Sequence, residues 1–147
     1  MKLLLIVMLS IASFAEKGWQ TDYDTARKMA TEKGRYILLN FSGSDWCIPC
    51  IRLRKEIFET DEFLKFADSS LVLLNADFPR SKKNQLSKEA QQKNDALAEK
   101  FNGAGQFPLT VLLTADGKVV HSWEGYPSNT NGSFIQQLKS LCDAYHP

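Results

Sequence analysis

The sequence has few cysteines and almost no net charge, and each shortage excludes a class of protein. Three cysteines in 147 residues are too few for the disulfide framework that stabilises many small secreted domains. The 18 basic and 17 acidic residues give a formal net charge of +1, whereas proteins that hold nucleic acid or anionic lipid need a basic surplus to neutralise phosphates. We therefore expect neither a disulfide scaffold nor a nucleic-acid partner.

A long hydrophobic segment is also lacking. The apolar run from Leu3 to Leu9 is too short for a transmembrane helix, which needs about 20 residues. Ser13 and Ala15 have the spacing of small residues at a signal-peptidase site. We therefore predict a cleaved signal peptide at residues 1–15, one domain at residues 16–147 and a periplasmic or secreted location. A retained anchor or a buried N-terminal helix is the alternative.

The rest of the chain alternates between helical and strand-like segments. The apolar runs 36–41 and 71–78 have the length of strands buried on both faces. Further on, Asp116 and Gly117 join two apolar runs, which is a strong hairpin signal. Helical patterns occupy the remaining segments, which are 21–34 with Thr21 as the N-cap, a stretch from about residue 46, a second from Thr60, 86–101 and 134–145. This order predicts an α/β fold with a central mixed sheet of four to five strands and helices on both faces.

Cys47 and Cys50 lie where the first strand-like run changes to a helical pattern. Residues three apart share one face of a helix, so the two sulfur atoms can form a disulfide. At the N-terminus of a helix, unpaired backbone N–H groups and the helix dipole lower the pKa of a thiol, which predicts Cys47 as the attacking thiolate. Cys50 is expected to lie deeper and to act as the resolving thiol. Pro49 fits the first helical turn, where its missing N–H would be unpaired.

Two other interpretations of the cysteine pair are weaker. A structural disulfide across so short a loop would stabilise the fold little, because the benefit grows with loop length. A zinc site needs about four ligands, and the other candidates, Cys142, His121 and His146, are scattered along the chain. We therefore predict no metal and no cofactor, a buried and inert Cys142, and surface positions for both histidines.

The stretch FSGSDWCIPC, together with QFPLTVLL and ADGKVV further on, resembles the thioredoxin superfamily, in particular its small secreted bacterial members. The resemblance covers nearly all of residues 16–147. Trp46, Cys47, Pro49 and Cys50 match the WCGPC motif of thioredoxins, with Ile48 in place of glycine. The resemblance therefore implies a thioredoxin-like fold in which the two cysteines are catalytic.

Pro108 matches the position at which this family carries a cis-proline beside the cysteines. Phe107, which precedes it, matches the residue whose backbone pairs with an extended substrate. Trp46 is interpreted either as a platform for the substrate or as a cover over the disulfide. The substrate-binding residues implied by the resemblance are Trp46, Ile48, Pro49, Phe107 and Pro108.

The sequence departs from thioredoxins at three places. Asn40 occupies the position of a buried aspartate that assists proton transfer from the resolving thiol, so we consider water, Asp45 or Glu56 as substitutes. Leu109 follows the proline where thioredoxins usually have threonine. The segment 79–97 is longer and richer in lysine than its counterpart. Its lysines are more typical of a solvated face than of a docking patch, and they are Lys82, Lys83, Lys88 and Lys93.

These features predict an extracytoplasmic thiol–disulfide oxidoreductase that reduces disulfides in client proteins and acts as a monomer. Pro49 makes the dipeptide between the cysteines thioredoxin-like rather than the Pro-His type of strong oxidants. A reductase outside the cytoplasm must be reduced again after each turnover, which predicts a membrane-bound electron donor. The alternatives are a disulfide oxidase or isomerase, a maturation factor for particular cysteines such as those of cytochromes, and a redox-idle module that binds peptides near Phe107 and Pro108.

Overall fold

The computed structural model describes residues 18–129 and 133–145. The predicted signal peptide at residues 1–15 and His146 lie outside the described residues. The strands are β1 (Trp19–Gln20), β2 (Tyr36–Ser42), β3 (Leu71–Asp77), β4 (Leu109–Leu113) and β5 (Val119–Glu124). The α-helices are α1 (Tyr23–Lys33), α2 (Ile48–Leu53), α3 (Asp61–Ser70), α4 (Lys88–Phe101) and α5 (Phe134–Ala144).

The strands form one mixed sheet in the order β1-β3-β2-β4-β5. Strands β1, β2 and β3 are parallel, whereas β4 is antiparallel to β2 and β5 is antiparallel to β4. The predicted α/β fold with a mixed sheet is therefore confirmed, with five strands. The short strand β1 was not predicted, because two residues carry no periodic pattern.

Helices cover both faces of the sheet, as predicted, and each face has its own hydrophobic core. On one face α1 and α4 pack over a cluster that includes Ala30, Leu39, Val72, Leu97 and Val111. On the other face α2, α3 and α5 pack over a cluster that includes Leu38, Leu53, Phe63, Leu73 and Leu138. Successive residues of the central strands face opposite cores, so the continuous apolar runs of β2 and β3 are explained by burial on both faces.

The N-cap of α1 is Asp22, so the predicted cap at Thr21 is wrong. Asp22 has extended backbone angles, and its Oδ2 accepts a hydrogen bond from the backbone N–H of Thr25 at 2.9 Å. A carboxylate at this position also interacts favourably with the positive end of the helix dipole. At the other end Gly34 adopts a left-handed conformation with φ of 61°, which glycine allows without strain.

Helix α2 continues into a π-helical turn, Arg54–Phe58, before α3 begins. The backbone N–H of Glu59 donates to the carbonyl oxygen of Arg54 at 2.9 Å, the wide spacing that defines such a turn. The predicted cap of α3 at Thr60 is confirmed, since its side chain accepts from the N–H of Phe63. Over the described ranges, no helix is both long enough and apolar enough to cross a membrane.

Candidate active site

The site forms where β2 ends and a tight turn leads into α2. The backbone N–H groups of Trp46 and Cys47 both donate to the carbonyl oxygen of Gly43, at 3.2 and 2.9 Å. Cys47 is the N-cap of α2, and Pro49 lies in the first turn of the helix. The predicted placement of Cys47 at a helix N-terminus is therefore confirmed.

Cys47 and Cys50 are joined by a disulfide, with their Cα atoms 5.2 Å apart. The backbone N–H of Cys50 donates to the Sγ of Cys47 at 3.3 Å. This N–H belongs to the first turn of α2, where backbone donors have no partner within the helix. The same donor and the helix dipole would stabilise negative charge on the Cys47 sulfur once the disulfide is reduced.

The two cysteines are almost equally buried, with 4% of Cys47 and 5% of Cys50 exposed. The prediction that Cys50 lies deeper is therefore wrong for the disulfide form. What distinguishes the two sulfur atoms is their place in the helix, because only the sulfur of the capping residue receives a backbone hydrogen bond. Ile48 between them is 67% exposed and presents an apolar surface directly beside the disulfide.

Three aromatic residues pack together next to the cysteine pair. The indole N–H of Trp46 donates to the carbonyl oxygen of Phe78 at 2.7 Å. The ring of Phe107 meets both Trp46 and Phe78 edge-to-face, with centroids 5.5 and 5.4 Å apart. These contacts hold the indole against Phe107 and Phe78 beside the cysteine pair.

A loop that follows β3 is held against the turn that carries Trp46. The carboxylate of Asp45 accepts hydrogen bonds from the backbone N–H groups of Arg80 and Ser81, each at 2.9 Å, and from the side chain of Asn84 at 3.0 Å. These hydrogen bonds, with that of Arg80 first, lower the pKa of Asp45. The guanidinium carbon of Arg80 lies 3.6 Å from the centroid of the Trp46 ring.

Sequence reasoning missed Phe78 and Arg80, which lie 28 and 30 residues after Cys50. A signal was nevertheless present. Both apolar runs were predicted as buried strands, and the carboxyl ends of neighbouring parallel strands meet at one edge of a sheet. The register of β2 with β3 brings Ser42 beside Asp77, so the residues after both strands meet at the site.

The predicted substrate-binding pair Phe107 and Pro108 reaches the same edge through β4. Because β4 runs antiparallel to β2, its first residue, Leu109, lies beside Phe41 near the end of β2. The peptide bond between Phe107 and Pro108 is cis, as the resemblance implies, and Pro108 is buried. The carbonyl oxygen of Pro108 accepts from the N–H of Gly125 at 2.8 Å, which fixes the segment to the end of β5.

The carboxylates considered for proton transfer are engaged elsewhere. Asp45 holds the loop that follows β3, as described above. Glu56 accepts from the hydroxyl of Tyr126 at 2.6 Å and from the guanidinium of Arg52 at 3.3 Å. The bond from Tyr126 and then that from Arg52 lower the pKa of Glu56, so both carboxylates are weakened as bases.

The other residues considered in the sequence lie apart from this site. Cys142 is a half-buried free thiol on α5, and burial, followed by the charge of Asp143, raises its pKa to about 11. His121 is exposed, as predicted, with its ring against Trp123. The four lysines of segment 79–97 are all exposed. In the part of the chain that the structure describes, no three histidine, cysteine or acidic side chains group as a metal site would require.

Comparisons with known proteins agree with this architecture. Residues 23–140 match the thioredoxin-like domain family. Over 122 residues the chain is 32% identical to the disulfide bond reductase DsbH of Chlamydia pneumoniae, covering 83% of this chain and 70% of that protein. Over 126 residues it is 28% identical to the thioredoxin-related protein DsbJ of Chlamydia pneumoniae, covering 86% of this chain but only 35% of DsbJ.

A solved structure described as DsbH oxidoreductase superposes on this chain with a TM-score of 0.74. The two sequences are 30% identical, and the superposition covers 86% of this chain and 85% of the other. The family match extends over most of the chain. The regions aligned with the relative and with the solved structure also include Cys47 and Cys50. The chain therefore belongs to the thioredoxin-like family and is a thiol–disulfide oxidoreductase.

Proposed function

We propose that this protein reduces disulfides of client proteins outside the cytoplasm, with Cys47 and Cys50 as its catalytic residues. One observation carries the proposal. The two cysteines form a disulfide at the start of α2, and the N–H of Cys50 donates to the Sγ of Cys47. This arrangement supports a thiolate on Cys47 in the reduced protein and keeps the second sulfur within bonding reach of the first.

The reaction proceeds in two exchanges. The Cys47 thiolate attacks one sulfur of the client disulfide, which forms a mixed disulfide and releases the other client sulfur as a thiolate. Cys50 then loses its proton and attacks the Sγ of Cys47, which releases the second client sulfur and leaves the disulfide between residues 47 and 50. Two electrons pass from the protein to the client, and the two client thiolates take up protons from water.

The direction of electron flow is inferred from the residues between the cysteines and from a relative. Ile48 and Pro49 resemble the dipeptide of thioredoxin, whose potential is about −270 mV, rather than that of a strong oxidant at about −120 mV. The difference corresponds to roughly 7 kcal/mol in the dithiol equilibrium. The relative at 32% identity carries the name disulfide bond reductase, which supports the same direction for this chain.

The proposed location and partners rest on the sequence. A signal peptide at residues 1–15 would export the protein, and a reductase in an oxidising compartment needs a membrane-bound donor to regenerate its dithiol. We propose that Trp46, Ile48, Pro49, Phe107 and Pro108 contact the client, because Ile48 is exposed beside the disulfide and Phe107 packs against Trp46. We expect the protein to act as a monomer.

The first experiment measures activity and potential together. Purified protein with dithiothreitol should accelerate reduction of insulin disulfides, and equilibration with glutathione buffers should give a potential of about −270 mV. The Cys142→Ala variant is the matched control, because it removes a thiol that lies outside the site. A potential above about −180 mV would contradict the reductase assignment and favour an oxidase or isomerase.

The second experiment separates an enzyme from a module that only binds peptides. Cys50→Ala should accumulate clients as mixed disulfides on Cys47 that dithiothreitol releases, since the resolving thiol is absent. Cys47→Ala should trap none through residue 47. Recovery of the same partners without covalent bonds from both variants would indicate a redox-idle module and overturn the proposal.

A further inference from the structure

An arginine from the loop after β3 is stacked on the indole beside the disulfide. The guanidinium carbon of Arg80 lies 3.6 Å from the ring centroid of Trp46. The indole is fixed beneath it, because its N–H donates to the carbonyl oxygen of Phe78 and its ring lies close to Gly43. A Cβ atom at residue 43 would come within 2.3 Å of the ring, so only glycine leaves room for the indole in this position.

The backbone of the same arginine is also held. The two carboxylate oxygens of Asp45 accept the N–H groups of Arg80 and Ser81, and Asn84 adds a third hydrogen bond to one of them. An exposed arginine normally loses about 2 kcal/mol of conformational entropy when a ligand orders it. Because the stack and the loop already restrict Arg80, much of that loss is incurred in the free protein.

The charged edge of the guanidinium is left for a ligand. In residues 18–129 and 133–145, Arg80 forms no ion pair with a carboxylate side chain. The neighbouring carboxylates accept hydrogen bonds from other donors. Asp45 accepts from backbone N–H groups, and Asp77 accepts from the N–H and the hydroxyl of Ser44. A guanidinium presents its N–H donors as a planar fork that matches the two oxygens of a carboxylate.

We propose that Arg80 is a specificity residue that binds an aspartate or glutamate side chain of the client, close to the disulfide that Cys47 attacks. This inference rests on the proposed function and adds a preference among clients. Trp46 links the two positions, because it precedes Cys47 in the chain and carries Arg80 on its ring. A client segment that lies across Phe107 and Trp46 would therefore place an acidic residue close to the client cysteine within reach of the Arg80 guanidinium.

The test uses two synthetic disulfide peptides that differ only in glutamate or glutamine near the cysteine. The wild-type protein should reduce the glutamate peptide with a kcat/KM about tenfold higher, mainly through KM, as a hydrogen-bonded charge pair would give. In Arg80→Gln this ratio should fall to near one, and Arg80→Lys should retain part of it because it keeps the charge but not the fork.

Two variants of the same loop are matched controls. Lys82 and Lys83 are exposed, and neither stacks on an aromatic ring among the described residues. Lys82→Gln and Lys83→Gln remove the same charge and should keep the preference for the glutamate peptide. An equal loss of preference in these variants would overturn a specific role of Arg80. A fall in the rates for both peptides together with a raised Cys47 pKa in Arg80→Gln would also overturn it, because Arg80 would then act on the thiolate.

A binding measurement distinguishes failure of this inference from failure of the proposed function. The same two peptides with serine in place of cysteine are titrated into the wild-type protein and Arg80→Gln by calorimetry. Tighter binding of the glutamate peptide by the wild-type protein alone would support the inference even if neither disulfide peptide were reduced. Reduction of both disulfide peptides at equal rates, with equal binding of the serine peptides, would overturn the inference and leave the reductase assignment intact.

Discussion

The hydroxyl of Thr110 donates a hydrogen bond to the Oδ1 of Asn40 at 3.3 Å, across the pair formed by β4 and β2. The Nδ2 of Asn40 in turn donates to the Oδ1 of Asn75 on β3 at 3.2 Å. Asn40 is 7% exposed and Thr110 is 0% exposed. The three residues form a neutral polar row across the sheet, on the face covered by α2, where thioredoxins carry an ionisable group.

Asn40→Asp should destabilise the protein at neutral pH. The carboxylate would lose the donor to Asn75 and would be buried without a cation, which raises its folded pKa above the unfolded value. The variant should therefore lose stability as the pH rises from the unfolded pKa through the folded one. A shift of roughly two units corresponds to about 3 kcal/mol at pH 7. Urea denaturation between about pH 3.5 and pH 7.5, a range that includes the ordinary carboxyl pKa of about 4 and the raised folded one, measures the effect.

Asn40→Ala is the matched control for that experiment. It removes the same hydrogen bonds without introducing a charge. The difference in stability between this variant and the wild-type protein should therefore not change with pH. If the aspartate variant followed the alanine variant at every pH, the row would be accessible to water or to a counter-ion, contrary to its burial.

Gly43→Ala should displace the indole of Trp46. The new Cβ atom would lie 2.3 to 2.6 Å from three indole atoms, so the ring must move and lose its hydrogen bond to Phe78. Overpacking of this kind costs about 1 to 3 kcal/mol. Urea denaturation measures the loss, and the exchange rate of the Trp46 indole proton, measured by NMR, should rise.

Gly103→Ala tests whether this effect belongs to the site. A Cβ atom at residue 103 would meet no atom within 4 Å, so the variant should unfold at nearly the same urea concentration as the wild-type protein. Equal effects of the two substitutions would mean that the loss at residue 43 does not come from the contact with the indole.

The sequence predicted the layers of this fold more reliably than the ends of its elements. β2 and β3 are buried on both faces, and a continuous apolar run is the direct result of that burial. Helix starts depend on finer differences, since Thr21 and Asp22 are both good caps and the choice is set by where the backbone turns. The π-helical turn at Arg54–Phe58 keeps a helical pattern of side chains, so the pattern does not distinguish it from a continued α-helix.

The candidate site was predictable only where a local motif encodes it. The cysteines at the start of a helix and the proline before a strand are visible in the chain, and the structure brings them to one edge of the sheet. The partners of Trp46 are not visible locally, because Phe78 and Arg80 reach it through strand pairing between distant segments. Local patterns also do not reveal that the Asp45 carboxylate accepts hydrogen bonds from the backbone of that loop.

Asp22 should contribute stability that disappears in acid. Its pKa is lowered to about 2, first by the hydrogen bond from Lys93 and then by that from the N–H of Thr25. A depressed folded pKa means that the contribution is present above the ordinary carboxyl pKa and is lost as the pH falls from about 4 towards 2. Asp22→Ala should cost about 1 kcal/mol at pH 7 and little at pH 2, as measured by urea denaturation.

Asp22→Asn separates the two roles of this residue. Asparagine retains a side-chain acceptor for the N-cap but has no charge to pair with Lys93. In the wild-type protein the Nζ of Lys93 lies 2.9 Å from the Oδ1 of Asp22. We expect its stability at pH 7 to lie between those of the wild-type protein and Asp22→Ala. A loss as large as that of the alanine variant would show that the ion pair, rather than the cap, carries the contribution.

Cys142 should react slowly with alkylating reagents in the folded, oxidised protein. It is the one free cysteine among the described residues, is half-buried on α5 and has a pKa raised to about 11 by burial. A thiol with so high a pKa has little thiolate at pH 8, so its reaction with iodoacetamide should be at least about tenfold slower than after unfolding in urea. In the folded protein the rate should keep rising with pH up to about 11. Equal rates in the folded and unfolded protein would mean that the thiol is accessible and ordinary, and Cys142 would then have to be considered as a third redox centre.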